Sequence, residues 1–538
     1  MIRVGRSKAP LTVTFAAVGV VLLAQMLAIC ARTGTPAFFT LDDPYIHLAL
    51  AERIAHGEYG INPGEPASPS SSILYPFLLV PFAALGIGEW GALFLNIAGS
   101  FGILATWRKL FIRFGFAPEG VEANGGAFLA TLAVNGLALP FTGMEHTLHI
   151  LCTLLTLLAL IEVVEEQPTP WYLIPVALTG ALLRYEGGAV AGAVAVILAM
   201  VGQRRQAASL IVLVAISYVC FSLFLKSLGL PLLPSSVLVK SRSAATVVSD
   251  RGVVDVIRAV FANLKNNISR VHLMMLGAGL FTTSLVYHRR REPGASSRLK
   301  LTLFAFMVLG AHFVAFRSGW FYRYEPYAVG VLLVWTLYAL FSEETPTLAF
   351  RSRDSALRGL GAFLCFLVFA GFYTVPAMLT PTAARNIFEQ QYQMHRFVTE
   401  FWKGPVAIND LGWVSYRNPD YVLDLWGLGS ARAHEAFAER DGAWVREAAV
   451  RKHIAIAMIY KASFEGMIPS QWQELAVLRL GTTKITPKED RVSFYLTDPA
   501  ELKRATAALN EFAKSLPKDV ALEWVSGEIR KTDIPSKD

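Results

Sequence analysis

The chain has 538 residues, of which 54% are hydrophobic and only 17% are charged, whereas soluble domains carry ~25% charged residues. With a mean hydropathy of +0.44, this composition indicates a membrane protein with many spans. The net charge is +8, but the basic residues cluster in short loops between apolar runs, as topology signals do. No basic stripe with interleaved aromatic residues is present, so no nucleic-acid partner is predicted.

Twelve apolar segments follow one another along the chain. The first covers 22 residues, enough at ~1.5 Å per residue to cross a ~30 Å hydrocarbon core. Arg3, Arg6 and Lys8 precede it and predict a cytoplasmic N-terminus with a retained signal anchor. The segments are residues 10–31, 73–87, 91–107, 127–142, 146–163, 171–183, 188–202, 207–225, 271–287, 300–316, 324–341 and 356–376.

Loop charges predict which connections lie on the outer side of the membrane. These are the breaks at 144–146 and 184–188, the loop 226–270, the turn 317–323 and the region after about residue 377. A cytoplasmic N-terminus and an outer C-terminus require an odd number of crossings, so about 11 of the segments are expected to span. The segment that does not span is 73–87 or 91–107, and 73–87 is favoured because it is short and contains Pro76 and Pro81.

The last part of the chain has ordinary charge density and the patterns of a soluble protein. Strands are predicted at 406–408, 453–460 and 492–496, and an amphipathic helix at 502–516. The expected organisation is therefore mostly α: a polytopic membrane core, residues 1–376 with a first outer loop at 32–72, and a soluble extracytoplasmic α/β domain, residues 377–538. The expected location is the inner (plasma) membrane.

Two adjacent carboxylates, Asp42 and Asp43, follow the first apolar segment at a membrane–water boundary, where charge is costly unless it has a use. Pro44 is favoured at the first helical position, so a helix is predicted at 44–56, with Asp43 as its N-cap or as a functional group. Asp42 has no helical role.

Glu52, Arg53 and His56 share one face of this helix, which predicts an amphipathic helix at the membrane interface. His47 lies on the apolar face, as a packed histidine or as a substrate contact. A loop rich in Pro, Gly and Ser follows at 58–72, either as a cradle for a polar head group or as a plain surface loop.

The stretch DDPYIHLALAERIAHGEYGINPGEPASPSSSILYPFLL resembles the first outer loop of the GT-C integral-membrane glycosyltransferases. It is most similar to the mycobacterial terminal β-arabinofuranosyltransferase branch, which is related to protein mannosyltransferases and aminoarabinose transferases. Two features depart from the family pattern: Tyr185 stands where proline is usual, and Ser235–Ser236 replaces Asn-Thr. Further resembling motifs are TGMEHTL (142–148), LLRYEGG (182–188), LPSSVLVKSR (233–242) and WFYRYEPYAV (320–329).

The resemblance implies an inverting glycosyltransferase that takes a sugar from a polyprenyl-phosphate donor held in membrane lipid. The acceptor would be a cell-envelope glycan or glycolipid at the outer face. Such transfer needs a carboxylate base for the acceptor hydroxyl, and Asp42 is favoured over Asp43 for this role. Cations must stabilise the departing phosphate, and the candidates are Lys240, Arg242, Arg184 and Arg323, with interfacial anchoring as the alternative.

Glu145 and Glu186 complete the candidate set. Glu145 interrupts an apolar hairpin and is expected to contact substrate or metal, or to cap a helix. Glu186 lies two residues from Arg184, so an ion pair between them is as plausible as a phosphate contact by the arginine. A divalent metal is left open, because Asp42, Asp43, Glu145, Glu186 and His47 offer suitable ligands without a fixed spacing.

Two other functions fit a chain of this kind. One is a transporter or flippase for a lipid-linked sugar, although transporters usually contain internal repeats and charges at the membrane midplane, and this sequence contains neither. The other is a catalytically degenerate membrane scaffold.

Overall fold

The computed structural model describes residues 11–240, 253–268, 279, 295–341 and 353–525. The protein is mostly helical and carries a sheet in its C-terminal part. The helices up to residue 389 are α1 (Leu11–Thr33), α2 (Asp43–Ala55), α3 (Tyr75–Ala84), α4 (Gly88–Arg113), α5 (Val121–Ala133), α6 (His146–Val164), α7 (Leu173–Leu183), α8 (Tyr185–Met200), α9 (Arg204–Ser227), α10 (Ser235–Lys240), α11 (Val253–Ile268), α12 (Ala295–Ala315), α13 (Pro326–Phe341) and α14 (Arg353–Glu389).

Most of the apolar segments predicted from the sequence form helices where the structure describes them, but within 127–142 the α-helix ends at Ala133 and a turn leads to a short 3₁₀ helix at Leu139–Thr142. Among the described residues, six helical stretches are long and apolar enough to cross a membrane: Thr12–Thr33, Gly88–Arg113, His146–Val164, Arg204–Ser227, Ser296–Ala315 and Gly359–Trp402. Helix α3 has ten residues and is therefore about 15 Å long, half the thickness of the hydrocarbon core. The segment 271–287 lies almost wholly outside the described residues, and the number of crossings stays a prediction.

Helices α7 and α8 form a tight hairpin, which places two charged residues at its tip. Arg184 is extended (φ −150°, ψ 144°) and separates the two helices. A Cβ atom on Gly187 would lie 2.2 Å from the carbonyl oxygen of Gly180, so the two helix backbones touch. Only glycine permits this approach, and it brings Arg184 and Glu186 to the same end of the bundle.

Helix α2 occupies the predicted position, and the predicted polar residues Glu52, Arg53 and His56 lie at its partly exposed C-terminal end. All residues from Pro44 to Ala51 are buried, so the first two turns are covered on every side, which was not predicted. The reason is the C-terminal part of the chain. The ring of Trp413 packs on Tyr45, with 4.0 Å between the ring centroids, and on Phe38 at 5.4 Å.

The C-terminal sheet has six strands in the order β2-β1-β3-β5-β4-β6. Neighbours within β2-β1-β3 are parallel, and the other neighbouring pairs are antiparallel. The strands are β1 (Val406–Ile408), β2 (Val422–Asp424), β3 (Ile456–Ile459), β4 (Gln473–Arg479), β5 (Arg491–Leu496) and β6 (Ala521–Trp524). The helices are α15 (Gln391–Arg396), α16 (Leu411–Ser415), α17 (Ala431–Glu439), α18 (Gly442–Arg451) and α19 (Leu502–Ser515).

The prediction of strand β1 is confirmed. Strands β3 and β5 and helix α19 lie where they were expected, with small changes at their ends. Strands β2, β4 and β6 were not predicted. The predicted domain boundary after residue 376 falls inside α14, which continues to Glu389. The buried carboxylate of Glu389 accepts bonds from the backbone N–H groups of Gly481 and Thr482, both at 3.0 Å, and so ties this helix to the sheet.

Candidate functional site

Four segments that are distant in sequence meet at one end of the helix bundle. They are the start of α2, the turn before α6, the tip of the α7–α8 hairpin and the turn before α13. His47 Nε2 lies 3.7 Å from Glu145 Oε2, Glu145 Oε1 lies 2.6 Å from Arg184 Nη1, and Asp43 pairs with Arg323. The charges of the loops placed the breaks at 144–146 and 184–188 and the turn 317–323 on one side of the membrane. In the structure these segments lie at the same end of the molecule.

Arg184 is the centre of a buried charge cluster. Its Nη2 and Nε donate to the two carboxylate oxygens of Glu186 at 2.7 and 3.1 Å, and its Nη1 donates to Glu145 at 2.6 Å and to His146 Nε2 at 2.9 Å. The side chains of Arg184, Glu145 and Glu186 are 8%, 0% and 9% exposed. Of the two roles considered for Arg184, the geometry favours the ion pair. Glu145 occupies an N-cap position, but its side chain makes no capping bond.

Arg323 has a different environment. Its side chain is 2% exposed, and Nη2 donates to the Asp43 carboxylate and, at 2.8 Å, to the Tyr324 hydroxyl. Its Nε and Nη1 are buried and have no hydrogen-bond partner among the described residues. Leaving a buried charged donor without a partner is costly. Two donors of this guanidinium therefore remain without an acceptor among the described residues.

Tyr324 joins the two arginines. Its ring centroid lies 4.9 Å from Arg323 Cζ and 5.3 Å from Arg184 Cζ, within the distance of a cation–π interaction. The position of Arg323 therefore depends, through Tyr324, on the charge cluster around Arg184. This role of Tyr324 was not predicted from the sequence. The only feature that could have indicated it is its position directly after Arg323.

The turn that presents Arg323 has an unusual backbone. Trp320, Phe321 and Tyr322 have φ values of 48°, 57° and 54°, in the left-handed region that costs non-glycine residues roughly 1–2 kcal/mol each. Glu325 Oε2 accepts from Gly319 N at 2.8 Å, and Asn135 Nδ2 donates to Tyr322 O at 2.9 Å. These bonds hold the turn, and such strain clusters at ligand-binding sites.

Asp42 points away from Arg323 and towards the C-terminal domain. Its Oδ2 accepts from Gly412 N at 2.7 Å, and its Oδ1 accepts from Trp413 N at 2.8 Å. Asp42 occupies the N-cap position of α2 without a side-chain capping bond, and the carboxylate of Asp43 pairs with Arg323. The expectation that Asp43 caps this helix is therefore wrong, because the helix starts one residue early and the buried cation takes the carboxylate.

A third carboxylate, Asp410, lies beside Asp42. Its Oδ2 accepts from the Tyr460 hydroxyl at 2.5 Å and from Gln391 Nε2 at 2.7 Å. Burial, together with the negative charge of Asp410, raises the pKa of Asp42 well above its ordinary value. Burial also raises the pKa of Asp410. A shifted pKa within a cluster of this kind is typical of functional sites.

Gly412 leaves no space for a side chain next to Asp42. A Cβ atom there would lie 2.0 Å from the Asp42 carbonyl oxygen and 2.6 Å from its Cγ. We expect Gly412→Ala to displace the Asp42 carboxylate and to lower the melting temperature. Gly192→Ala, at a position with no atom within 4 Å of the added Cβ, is the matched control and should leave the melting temperature unchanged. Equal melting temperatures for the two variants would contradict the contact between Asp42 and Gly412.

The loop 58–72 attaches to the C-terminal domain. Asn62 Nδ2 donates to Val422 O, and Val422 N donates to Asn62 Oδ1, both at 2.9 Å, so this side chain covers the edge strand β2. Glu65 pairs with Lys452 at 3.0 Å. On the other flank of the loop, Ser70 Oγ lies 3.1 Å from His47 Nδ1. The sequence predicted this loop either as a cradle for a polar head group or as a plain surface loop. Neither prediction included its contact with the C-terminal domain.

Two of the predicted cations stay predictions. Lys240 ends helix α10, but its side chain lies outside the described part of the molecule, as does all of Arg242. The metal hypothesis gains no support, because the described residues contain no group of three or more His, Cys, Asp or Glu residues placed to hold a metal ion. Glu145 and Glu186 are already engaged by Arg184, so the donor set does not fit a divalent cation.

Asp424, at the end of β2, predicts a pH dependence of stability. Its carboxylate accepts from Trp426 N at 2.8 Å and Gly429 N at 2.7 Å, but burial outweighs these bonds and raises its pKa to about 6. The folded protein then binds a proton more tightly than the unfolded chain, so stability falls as pH rises from about 4 to 6. Between pH 4.5 and 7 the wild type should lose on the order of 2 kcal/mol more stability than Asp424→Asn. Parallel thermal-unfolding curves for the two proteins across this range would contradict the assignment.

Comparisons with known proteins give three results. Residues 385–495 match the model of a family described as a domain of unknown function (DUF8728). No curated protein matches the chain in sequence.

Among solved structures, an oligosaccharyltransferase of Archaeoglobus fulgidus in complex with zinc and sulfate is similar over 94% of this chain and 75% of its own, with a TM-score of 0.43 and 12% identity. In complex with an inhibitory peptide and a dolichol-phosphate, the Archaeoglobus enzyme is similar over 95% and 76%, with a TM-score of 0.41 and 10% identity. Those ligands are bound by the archaeal enzyme.

Proposed function

We propose that this protein is an inverting glycosyltransferase of the inner membrane that moves a sugar from a polyprenyl-phosphate donor to a cell-envelope glycan or glycolipid at the outer face. The observation that carries the proposal is the divergence of two adjacent carboxylates. Asp43 is tied to a buried arginine that retains two unpartnered donors, whereas Asp42 is held against the C-terminal domain. In this proposal Asp43 holds the anion-binding group, Arg323, and its neighbour Asp42 is the base.

Arg323 is the proposed ligand of the donor phosphate. Its unpartnered Nε and Nη1 point in different directions from the guanidinium, and each can donate one charge-assisted hydrogen bond to a phosphate oxygen. As the bond between the sugar carbon C1 and the phosphate oxygen breaks, negative charge grows on the phosphate. A buried cation that is already in place stabilises this charge without reorganisation.

Asp42 is the proposed general base. A carboxylate offers about four lone-pair sites, and two are used by the N–H groups of Gly412 and Trp413, so a hydroxyl can still donate to it. The raised pKa makes the ionised form a stronger base. The acceptor oxygen bonds to C1, its proton passes to Asp42, and the lipid phosphate leaves. Attack opposite to the leaving phosphate inverts the configuration at C1.

The cluster of His47, Glu145, Arg184 and Glu186 has a positioning role in this proposal. It holds Arg184 beneath the ring of Tyr324, and Tyr324 in turn contacts Arg323. The charged residues of this cluster were predicted from the sequence as substrate ligands. In this proposal they instead orient Arg323, which binds the phosphate.

The test is a transfer assay with purified protein in lipid nanodiscs. Radiolabelled polyprenyl-phosphate sugars with different head groups are supplied with cell-envelope glycan as acceptor, and labelled glycan is measured. The expected result is labelled product and released polyprenyl phosphate for one of the donors. Movement of intact donor across a proteoliposome membrane without labelled product would indicate a flippase. Neither product nor movement with any donor would indicate a scaffold.

A further inference from the structure

A cleft of about 420 Å³ lies between the turn at residues 61–67 and the C-terminal domain. Its walls are formed by Asn62 and Glu65 on one side and by Leu411, Tyr421, Trp444 and Arg451 on the other. The volume falls within the ~300–1,000 Å³ usual for small-molecule sites, which favour domain interfaces. We infer that this interdomain cleft binds a neutral segment of the acceptor glycan, an inference that rests on the proposed transferase function.

The position of the cleft connects it with the proposed base. Leu411 lines the cleft, and the next two residues along the chain, Gly412 and Trp413, hold the carboxylate of Asp42 through their backbone N–H groups. A ligand in the interdomain cleft therefore lies one residue away from the peptide groups that fix Asp42. The opposite wall belongs to the same loop that follows α2, so both walls are attached to elements of the site.

One face of helix α18 shapes the cleft. Trp444, Ala448 and Arg451 all line it, and their spacing of four and seven residues puts them on one side of a helix. Asp441 accepts a bond from Trp444 N at 3.0 Å, which fixes the first turn and the place of the indole. The small side chain of Ala448 leaves open space between an aromatic ring and a guanidinium group.

The chemistry of the lining suits a saccharide. A sugar ring has an apolar face of C–H groups, which packs on an aromatic ring, and an edge of hydroxyls, which need donors and acceptors. The cleft supplies the rings of Tyr421 and Trp444, and Arg451 can donate to two neighbouring hydroxyls at once.

The charges of the cleft favour a neutral ligand over an anion. Lys452 pairs with Glu65 at 3.0 Å, and Arg432 pairs with Asp441 at 3.3 Å and with Glu435 at 3.4 Å. Lys452 and Arg432 therefore already have acidic partners, and Glu65 and Asp424 line the cleft together with Arg451, so the positive potential of Arg451 is partly offset by neighbouring acids.

The experiment compares full-length protein in nanodiscs with Trp444→Ala, Trp444→Phe and Arg451→Ala. Two variants are the matched controls. Arg446→Ala changes an exposed position of α18 outside the lining, and Trp171→Ala changes an 86% exposed tryptophan in the turn before α7. Trp444→Ala and Arg451→Ala should raise the KM for acceptor by about 10-fold or more while leaving kcat and the KM for donor unchanged. Trp444→Phe, which retains an aromatic face, should give a smaller rise.

A binding measurement separates this inference from the proposed function. Saturation-transfer NMR is recorded with a panel of neutral oligosaccharides and with phosphorylated counterparts. If the wild type transfers sugar but the cleft variants keep the wild-type acceptor KM, the cleft inference is wrong and the function stands. If no donor supports transfer but neutral oligosaccharides bind in a manner that depends on Trp444, the inference stands without the function. Binding of phosphorylated oligosaccharides alone, or of none, would overturn the inference.

Discussion

Replacing Asp42 by asparagine should lower the rate of sugar transfer by about 10²–10⁴-fold, the contribution typical of a positioned general base. Asparagine has nearly the same volume and keeps one oxygen for the N–H group of Gly412 or Trp413, but its amide nitrogen would face the other N–H group. Thermal unfolding is therefore measured alongside the rate, to show that the variant keeps its fold. Asparagine cannot accept the proton of an acceptor hydroxyl. The KM for donor should stay near the wild-type value, because Asp42 points away from Arg323. Initial rates at saturating acceptor measure this effect.

The control is the neighbouring residue. Asp43→Asn weakens the contact that orients Arg323 and, if orientation outweighs the gain in positive charge, should raise the KM for donor, with a smaller effect on kcat than Asp42→Asn. If the two variants exchange these phenotypes, Asp43 is the base and Asp42 only attaches the C-terminal domain. If both variants transfer sugar at the wild-type rate, neither carboxylate is the base.

The pH profile gives the same prediction a second readout. Burial and the charge of Asp410 raise the pKa of Asp42, and only the ionised form accepts a proton. The rate should therefore rise with pH through a limb that lies well above pH 4, the region of an ordinary aspartate. Asp410→Asn removes a neighbouring negative charge and should move this limb to lower pH. A limb that stays in place in Asp410→Asn would contradict the electrostatic coupling of the two carboxylates.

The long helices of the helical core could be predicted because they are apolar runs bounded by polar residues, and a membrane leaves the backbone few other ways to satisfy its hydrogen bonds. The helices at 253–268 and within residues 391–451 were not predicted, because they are short or amphipathic. Glu145, Arg184, Glu186 and Arg323 were singled out at the ends of apolar segments, where charge needs a partner, and Asp43 and His47 in the first outer loop. The structure brings these six residues together.

The different partners of Asp42 and Asp43 could not be predicted from their local sequence. They depend on contacts with Gly412 and Trp413, about 370 positions away in the chain. The burial of α2 was missed for the same reason, since the covering residues belong to another part of the fold. The left-handed backbone of Trp320, Phe321 and Tyr322 was missed because none of these residues is a glycine.

Arg184 is expected to have the largest effect on stability. Arg184→Met should destabilise the protein by about 3–5 kcal/mol, because it leaves the buried carboxylates of Glu145 and Glu186 without their cation. Arg184→Lys should recover only part of this, since an ammonium group lacks the planar fork that bonds Glu186 through two nitrogens and Glu145 through a third. Thermal unfolding in nanodiscs measures each variant.

Two comparisons show whether buried charge is the cause. Arg479 pairs with Glu523 at 3.4 Å, and their side chains are 48% and 46% exposed, so Arg479→Met should cost less than about 1 kcal/mol. The triple change Arg184→Met, Glu145→Gln and Glu186→Gln removes the uncompensated charges and should regain most of the stability lost in Arg184→Met. Its transfer activity should stay low, because Tyr324 would no longer lie between two guanidinium groups. If the triple variant were as unstable as Arg184→Met, loss of packing rather than charge would explain the effect, and the cluster would have no electrostatic role in positioning Arg323.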